Sequence, residues 1–256
     1  MKALLLAAGY ATRLYPLTLD KPKALLPIGL KPIINYIAEN VKRTGKIDEI
    51  FVITNHKFYS HFKDWAIKAM VPGTLIGARH HCIIKVIDDG TLSNDDRLGA
   101  IGDIAFAIKK ENIKEDLLVI GADNIFDFEL KDLLKFAESK NSPNCVGLYD
   151  LADTALAAKY GVVSIDKSGS IVDFQEKPKQ PKSTLISTCI YYFPSGKLNL
   201  FEKYLNGPGN QKDASGNYIK WLSDNDSAYG FVISGRWFDI GDIQSYKIAD
   251  SEFTKK

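Results

Sequence analysis

Lys2-Ala3-Leu4-Leu5-Leu6-Ala7-Ala8-Gly9-Tyr10-Ala11-Thr12-Arg13-Leu14 begins as a short apolar run and changes at Ala7 into small, then polar residues. The stretch reads as a buried strand over Lys2–Leu6 and a Gly-containing turn over Ala7–Leu14. The same grammar continues downstream. Helical periodicity over Lys31–Thr44 places Ile34, Ile37 and Val41 on one face, and Gly45 closes that helix. Apolar strands are read at Glu49–Thr54, Ile83–Asp88 and Asp116–Gly121, and helices at Phe58–Ala69, Gly99–Lys110 and Leu130–Ser139. Apolar strands alternating with amphipathic helices predict the α/β class, a three-layer sandwich whose mostly parallel mixed sheet is covered on both faces. Ligands of such sheets bind at the carboxyl ends of the strands, which singles out the loops after Leu6 and after Ile120.

The second half has another texture. Val146–Asp150, Gly161–Ile165, Ile171–Glu176 and Ser187–Phe193 read as strands with short connections, Lys167-Ser168-Gly169 being a hairpin turn. Leu198–Leu205 reads as a helix, Asn206–Gly216 as a polar loop, Ala228–Ile233 as a late strand and Ile243–Phe253 as a closing helix. An added β-rich lobe is the economical reading.

Acidic and basic residues nearly cancel to a formal charge of +2, which argues against a broad basic face for nucleic acid. Cys82, Cys145 and Cys189 lie far apart without metal-ligand spacing, as expected of idle thiols in a reducing cytosol. No run approaches the roughly 18 apolar residues of a membrane helix, and Met1–Gly9 is too short for a signal peptide. A cytoplasmic protein with no membrane partner is therefore expected.

A turn of small residues lets backbone N–H groups approach a polyphosphate. Arg13 can then meet phosphate oxygens with its planar fork. In Asp20-Lys21-Pro22-Lys23-Ala24-Leu25-Leu26-Pro27, Pro22 stiffens the approach of Lys23, a compact cation suited to pyrophosphate. Taken alone, a tight strand-to-helix turn with a surface arginine reads equally well, since both the P-loop and the dinucleotide fingerprint are absent. The two-part pattern Leu6-Ala7-Ala8-Gly9-x-x-Thr12-Arg13-Leu14-x-Pro16-Leu17-Thr18 and Lys21-Pro22-Lys23-x-Leu25-x-Pro27 resembles the N-terminal signature of the sugar-1-phosphate nucleotidyltransferases. Thymidylyl- and uridylyltransferases of glucose 1-phosphate belong to that family. Its usual second glycine is Ala11 here, whose methyl group calls for a negative φ.

The resemblance implies a Rossmann-like nucleotide-binding half over about residues 1–140 and a sugar-phosphate-binding lobe over about 141–256, together one nucleotidyltransferase domain. It implies catalytic roles for Arg13 and Lys23, and nucleotide contacts from Leu6, Ala8, Gly9, Thr12 and Asp123. Leu98 and Gly99 resemble the family's turn before a helix that reads the base. Asn94, Asp95 and Arg97 stand where thymidylyl and uridylyl members usually carry Gln or Glu. Asp123 in Gly121-Ala122-Asp123-Asn124 and Asp239 in Trp237-Phe238-Asp239-Ile240-Gly241 match the family's Mg²⁺ ligands, Asp239 coming from the other lobe. Asp242, directly before Ile243, reads instead as a helix N-cap.

Glu176-Lys177-Pro178 by itself is a charge pair at a strand end. By likeness to the family, Glu176 binds sugar hydroxyls, Lys177 the sugar phosphate, and Gly161 offers backbone to the sugar, with Asn124, Tyr191 and Trp237 completing the pocket. The implied reaction joins a nucleoside triphosphate to a sugar 1-phosphate, dTTP or UTP with glucose 1-phosphate. A non-sugar acceptor such as phosphocholine or inositol phosphate and a non-catalytic nucleotide sensor are the alternatives. No C-terminal left-handed β-helix is expected, and a homo-oligomer is left open. His56, His61 and His80-His81 lack metal-ligand spacing and read as surface or core residues, and Lys255-Lys256 as solvated charges.

Overall fold

The computed structural model describes residues 1–70, 82–208, 213 and 215–254, so the readings made for His80-His81 and Lys255-Lys256 lie outside the described residues. The strands are β1 (Lys2–Leu6), β2 (Pro27–Ile28), β3 (Lys31–Pro32), β4 (Glu49–Thr54), β5 (Ile83–Asp88), β6 (Leu117–Gly121), β7 (Asn124–Phe126), β8 (Asn144–Asp150), β9 (Gly161–Ile165), β10 (Ile171–Glu176), β11 (Leu185–Phe193), β12 (Ala228–Val232) and β13 (Trp237–Asp239). The helices are α1 (Ile33–Arg43), α2 (Tyr59–Ala69), α3 (Gly99–Lys110), α4 (Leu130–Ser139), α5 (Thr154–Ala157), α6 (Asn199–Leu205), α7 (Ser215–Asn225) and α8 (Ile243–Thr254). Among them, no helix is long and apolar enough to cross a membrane.

The elements form two compact units, each assembled from separate segments. The first comprises 1–98, 120–130 and 235–256, the second 99–119 and 131–234. In the first unit β1 pairs in parallel with β4 and β4 with β5. Leu4, Leu5, Ile50, Val52 and Ile53 are fully buried there, as apolar strands covered on both faces should be. The α1 helix buries Ile33, Ile34, Ile37, Ala38 and Val41, and Gly45 follows at φ 66. Pro32 delays the helix start by two residues from the periodic reading, because its ring occupies the N-cap position.

A second, smaller core sits in the same unit. Leu14, Leu26, Ile28, Ile33, Ile125, Ile240 and Ala249 are buried together, with Tyr36, Phe238, Tyr246 and Phe253 packed against them. Short pairings, β2 with β3 and β7 with β13, carry Ile28, Ile125 and Phe238 of this set. Sequence periodicity missed β7 and β13, since three-residue strands show no alternation.

The second unit is largely antiparallel: β8 with β11, β9 with β10 and β9 with β11, while β12 joins β8 in parallel. Lys167-Ser168-Gly169 does form the β9–β10 turn, with Gly169 at φ 87 and Asp166 Oδ1 accepting from the Ser168 and Ser170 amides. The region read as ending in a loop at Gly216 already carries helix at Ser215, and the whole of α7 went unread. Ser215-Gly216-Asn217 is a poor helical opening by propensity. Burial of Tyr218, Ile219 and Leu222 overrides it, Tyr218 packing against Phe193, Phe201 and Tyr204.

Asn40 on α1 is 1% exposed, donating to the Phe128 carbonyl (2.6 Å) and accepting from the Leu130 amide (3.0 Å). It fastens the segment after β7 from both sides. Asn40→Leu strands those backbone partners away from water and is expected to cost about 2–4 kcal/mol. Urea unfolding of the variant against the parent measures it.

Candidate active site

In the first unit, the small core places the charged residues by chain adjacency. Arg13 precedes buried Leu14, Asp123 stands two residues before Ile125, and Asp239 directly precedes Ile240. The turn after β6 is bonded to the end of β1, Ala122 N donating to the Leu6 carbonyl at 3.0 Å. Antiparallel pairing then sets Asp239 opposite Asn124, and Ile240 N donates to the Asp123 carbonyl at 3.0 Å. Asp239 was expected from the other lobe; it belongs to the same unit as Asp123, because 235–256 returns to that unit.

Lys23 joins these pieces. Its Nζ donates to Asp123 Oδ2 at 2.7 Å and to the Ile240 carbonyl at 3.0 Å. Leu6, Ala7, Gly9, Ala11, Lys23, Ala24, Ala122 and Asp123 line one cavity. A Cβ built on Gly9 would meet nothing within 4 Å, so internal packing gives no reason for glycine there. Ala8 is buried, whereas Thr12 and Arg13 are exposed in a 3₁₀ turn.

Ala11 departs from the expected negative φ. It sits at φ 50, ψ 41 in the left-handed region, while its carbonyl accepts from the buried Thr18 hydroxyl at 2.8 Å. The short turn needs that backbone shape whatever residue occupies it, and a methyl group there costs about 1–2 kcal/mol.

Asp239 is the most perturbed acid of the group. Burial, then the negative charge of Asp123, pushes its carboxyl up from the usual 3.8 to about 6, against the opposing pull of Lys23 and Arg13. Two carboxylates and the Ile240 carbonyl beside one lysine form an oxygen-rich, electron-rich set. Mg²⁺ is typically held by one or two carboxylates plus substrate phosphates, so Asp123 and Asp239 fit that ion. Among the described residues no larger His/Cys/Asp/Glu group could hold a metal. Trp237, expected to line the sugar pocket, is buried and donates from Nε1 to Asn124 Oδ1 at 2.6 Å. Asn124 in turn donates to Asp123 Oδ1 at 3.0 Å. The pair buttresses the carboxylate. Asp242 caps α8 as read, accepting from the Ser245 amide at 2.8 Å.

The segment expected to read the base closes on itself: Asp96 accepts from the amides of Leu92 and Ser93, and Arg97 donates to the Asn94 carbonyl. Leu98 is half-buried, and Gly99 takes φ 77, a value that favours glycine.

A further group gathers within the second unit. Glu176 ends β10 opposite Gly161 of β9. Lys177 Nζ lies 3.7 Å from the Glu176 carboxylate, on a backbone at φ 46. Tyr191 is 2% exposed and donates to Ser215 Oγ at 3.0 Å, with Ser187 Oγ at 3.3 Å. Burial pushes its phenol far above the usual range, so it stays protonated. Ser215 shows no nucleophile-elbow context in the sequence, and neither its bond to Tyr191 nor the Ile240 carbonyl, a main-chain group, carries a sequence signal.

Residues 2–256 match the nucleotidyl transferase family model. The chain is 29% identical over 250 residues to the bifunctional protein GlmU of Methanocaldococcus jannaschii, covering 94% of this chain and 51% of that protein. It is 30% identical over 265 residues to the glucose-1-phosphate adenylyltransferase of Fusobacterium nucleatum, covering 95% of this chain and 64% of that one. For the UTP–glucose-1-phosphate uridylyltransferase of Synechocystis the identity is 28% over 257 residues, with 96% and 61% covered. The chain thus spans about half to two thirds of the length of these relatives. A UDP-glucose pyrophosphorylase solved with UDP-glucose shares the fold, with TM-score 0.82, 22% identity, and 99% and 98% of the two chains covered.

Ala11→Gly relieves the left-handed methyl group but frees the unfolded chain by about 0.4–1 kcal/mol. A net gain of roughly 0.5–1 kcal/mol is expected, read as a rise of about 2 °C in melting temperature. Asp239 gives a pH signature. Its folded pKa exceeds the unfolded one, so its proton favours the folded state below about pH 4, and that stabilisation is lost as pH rises through 6. Mg²⁺ is expected to raise the melting temperature at pH 7.5 and much less at pH 5. Asp239→Asn is expected to raise the metal-free value at pH 7.5 and to abolish most of the Mg²⁺ increment, checked by scanning fluorimetry.

Proposed function

Because the chain belongs to the nucleotidyl transferase family, we propose that it transfers a nucleotidyl group from a nucleoside triphosphate to a sugar 1-phosphate, releasing pyrophosphate. The observation that carries this reading is Lys23 held between Asp123 and the Ile240 carbonyl beside Asp239. The open space at Gly9 supports it, since an approaching phosphate explains a glycine that the protein's own packing does not.

In this reaction an oxygen of the sugar phosphate attacks the α-phosphorus in line. The new P–O bond forms as the bond from the α-phosphorus to the pyrophosphate oxygen breaks, and no covalent protein intermediate is required. Positioning and charge stabilisation supply most of the acceleration in such transfers. The backbone around Ala8, Gly9 and Thr12 cradles the triphosphate, and Arg13 and Lys23 take up negative charge as pyrophosphate leaves. Asp123 and Asp239 would hold Mg²⁺, and the ion would supply Lewis-acid neutralisation of phosphate charge. In the second unit, Glu176 accepts hydrogen bonds from sugar hydroxyls and Lys177 pairs with the sugar phosphate. Leu98 and Gly99 meet the base. For substrates we infer dTTP or UTP with glucose 1-phosphate; two of the relatives named above are glucose-1-phosphate nucleotidyltransferases.

The test is pyrophosphate release with Mg²⁺, crossing dTTP, UTP, CTP, ATP and GTP against several sugar 1-phosphates. Release that requires both substrates supports the reaction and names them. Triphosphate binding without release on any sugar phosphate rejects it. In the productive pair, Lys23→Ala and Asp123→Ala are each expected to lower kcat about a hundredfold or more. Near-normal turnover of either variant overturns its assigned role.

A further inference from the structure

Gly216 is the second residue of α7, and glycine is among the weakest helix formers. Its backbone is not in the left-handed region, so conformation does not explain it. Packing does. A Cβ at Gly216 would come within 2.2 Å of Glu176 Oε2 and within 2.6 and 2.7 Å of the Phe174 ring. A Cβ at Gly161 would come within 2.4 Å of the same ring and 3.3 Å of the same Glu176 oxygen. The end of β10 is therefore seated between two bare Cα atoms, one on β9 and one on α7. The residue before Gly216 holds the second polar group of this region, Ser215 Oγ accepting from the Tyr191 hydroxyl at 3.0 Å. Both side chains thus take their places from the first two residues of one helix, whose leading amides lack intrahelical acceptors and favour a nearby carboxylate.

We propose that Gly216 is a positioning residue for the sugar-phosphate substrate: its bare Cα sets where the Glu176 carboxylate stands, and through it the affinity for the sugar. This rests on the reading of Glu176 as the acceptor of sugar hydroxyls. A methyl group at position 216 displaces the Glu176 carboxylate together with the Phe174 ring beside it, so binding of the sugar suffers while handling of the triphosphate does not.

The experiment is a double-mutant cycle of Gly216→Ala and Glu176→Ala, with full kinetics in the glucose 1-phosphate concentration and in that of the triphosphate. Gly216→Ala is expected to raise KM for glucose 1-phosphate about tenfold, near 1.4 kcal/mol, with KM for the triphosphate and kcat within about twofold. In the Glu176→Ala background the same change is expected to add nothing. Glu176→Asp, which withdraws the carboxylate by one methylene and leaves α7 untouched, is expected to raise the same KM and decides the matter if Gly216→Ala does not fold. Effects that multiply in the double variant, or an unchanged KM in Gly216→Ala beside a raised one in Glu176→Ala, overturn the proposal alone. An unchanged KM in Glu176→Ala overturns the reading of Glu176 and the proposal with it.

Discussion

A single ammonium group ties the first unit's chemistry together. Lys23 Nζ is shared between the Asp123 carboxylate and the Ile240 carbonyl, and so links three segments that are remote in sequence. Without that cation, two acids, one of them half-buried, would have only Arg13 to offset their repulsion.

The small apolar core of the first unit makes this arrangement rigid. Its members come from the loop after β1, from β2, α1, β7 and α8, and from the residue following β13. The charged residues lie in the chain beside those anchors. The segment 235–254 is thus part of the scaffold. Gly29 N donates to Asp250 Oδ1 at 2.7 Å and the Tyr246 hydroxyl to the Pro27 carbonyl at 2.6 Å, fastening α8 to the β2–β3 hairpin. Close-packed interiors transmit small displacements, so a site hung on such anchors inherits their precision.

Backbone shape and side-chain absence serve different ends in the two units. At Ala11 the turn imposes a left-handed residue, and the chain tolerates a methyl group at a cost in stability. At Gly161 and Gly216 the backbone imposes nothing, and missing side chains make room for Phe174 and Glu176. Strain and space are separate reasons for glycine, and only coordinates tell them apart. A family pattern that prefers glycine at position 11 gave no hint that alanine would adopt the same φ.

The sequence alone determined the α/β class, most long strands and helices, and the identity of Arg13, Lys23, Asp123, Asp239 and Glu176 as the residues to watch. Those are local properties: hydrophobic period, turn chemistry, and motifs whose residues lie within a few positions of one another. Tertiary structure decided what depends on contacts between distant segments. Three-residue strands such as β7 and β13 exist because each satisfies the other's backbone, which no window of sequence contains. The α7 helix begins at a sequence that disfavours it because the aromatic side chains around Tyr218 bury its face. Trp237 became a buttress for Asn124, and Asp239 joined Asp123 within one unit, through pairings that close over more than a hundred residues. The physical reason is that burial and hydrogen-bond satisfaction are properties of the folded neighbourhood, whereas periodicity belongs to the chain.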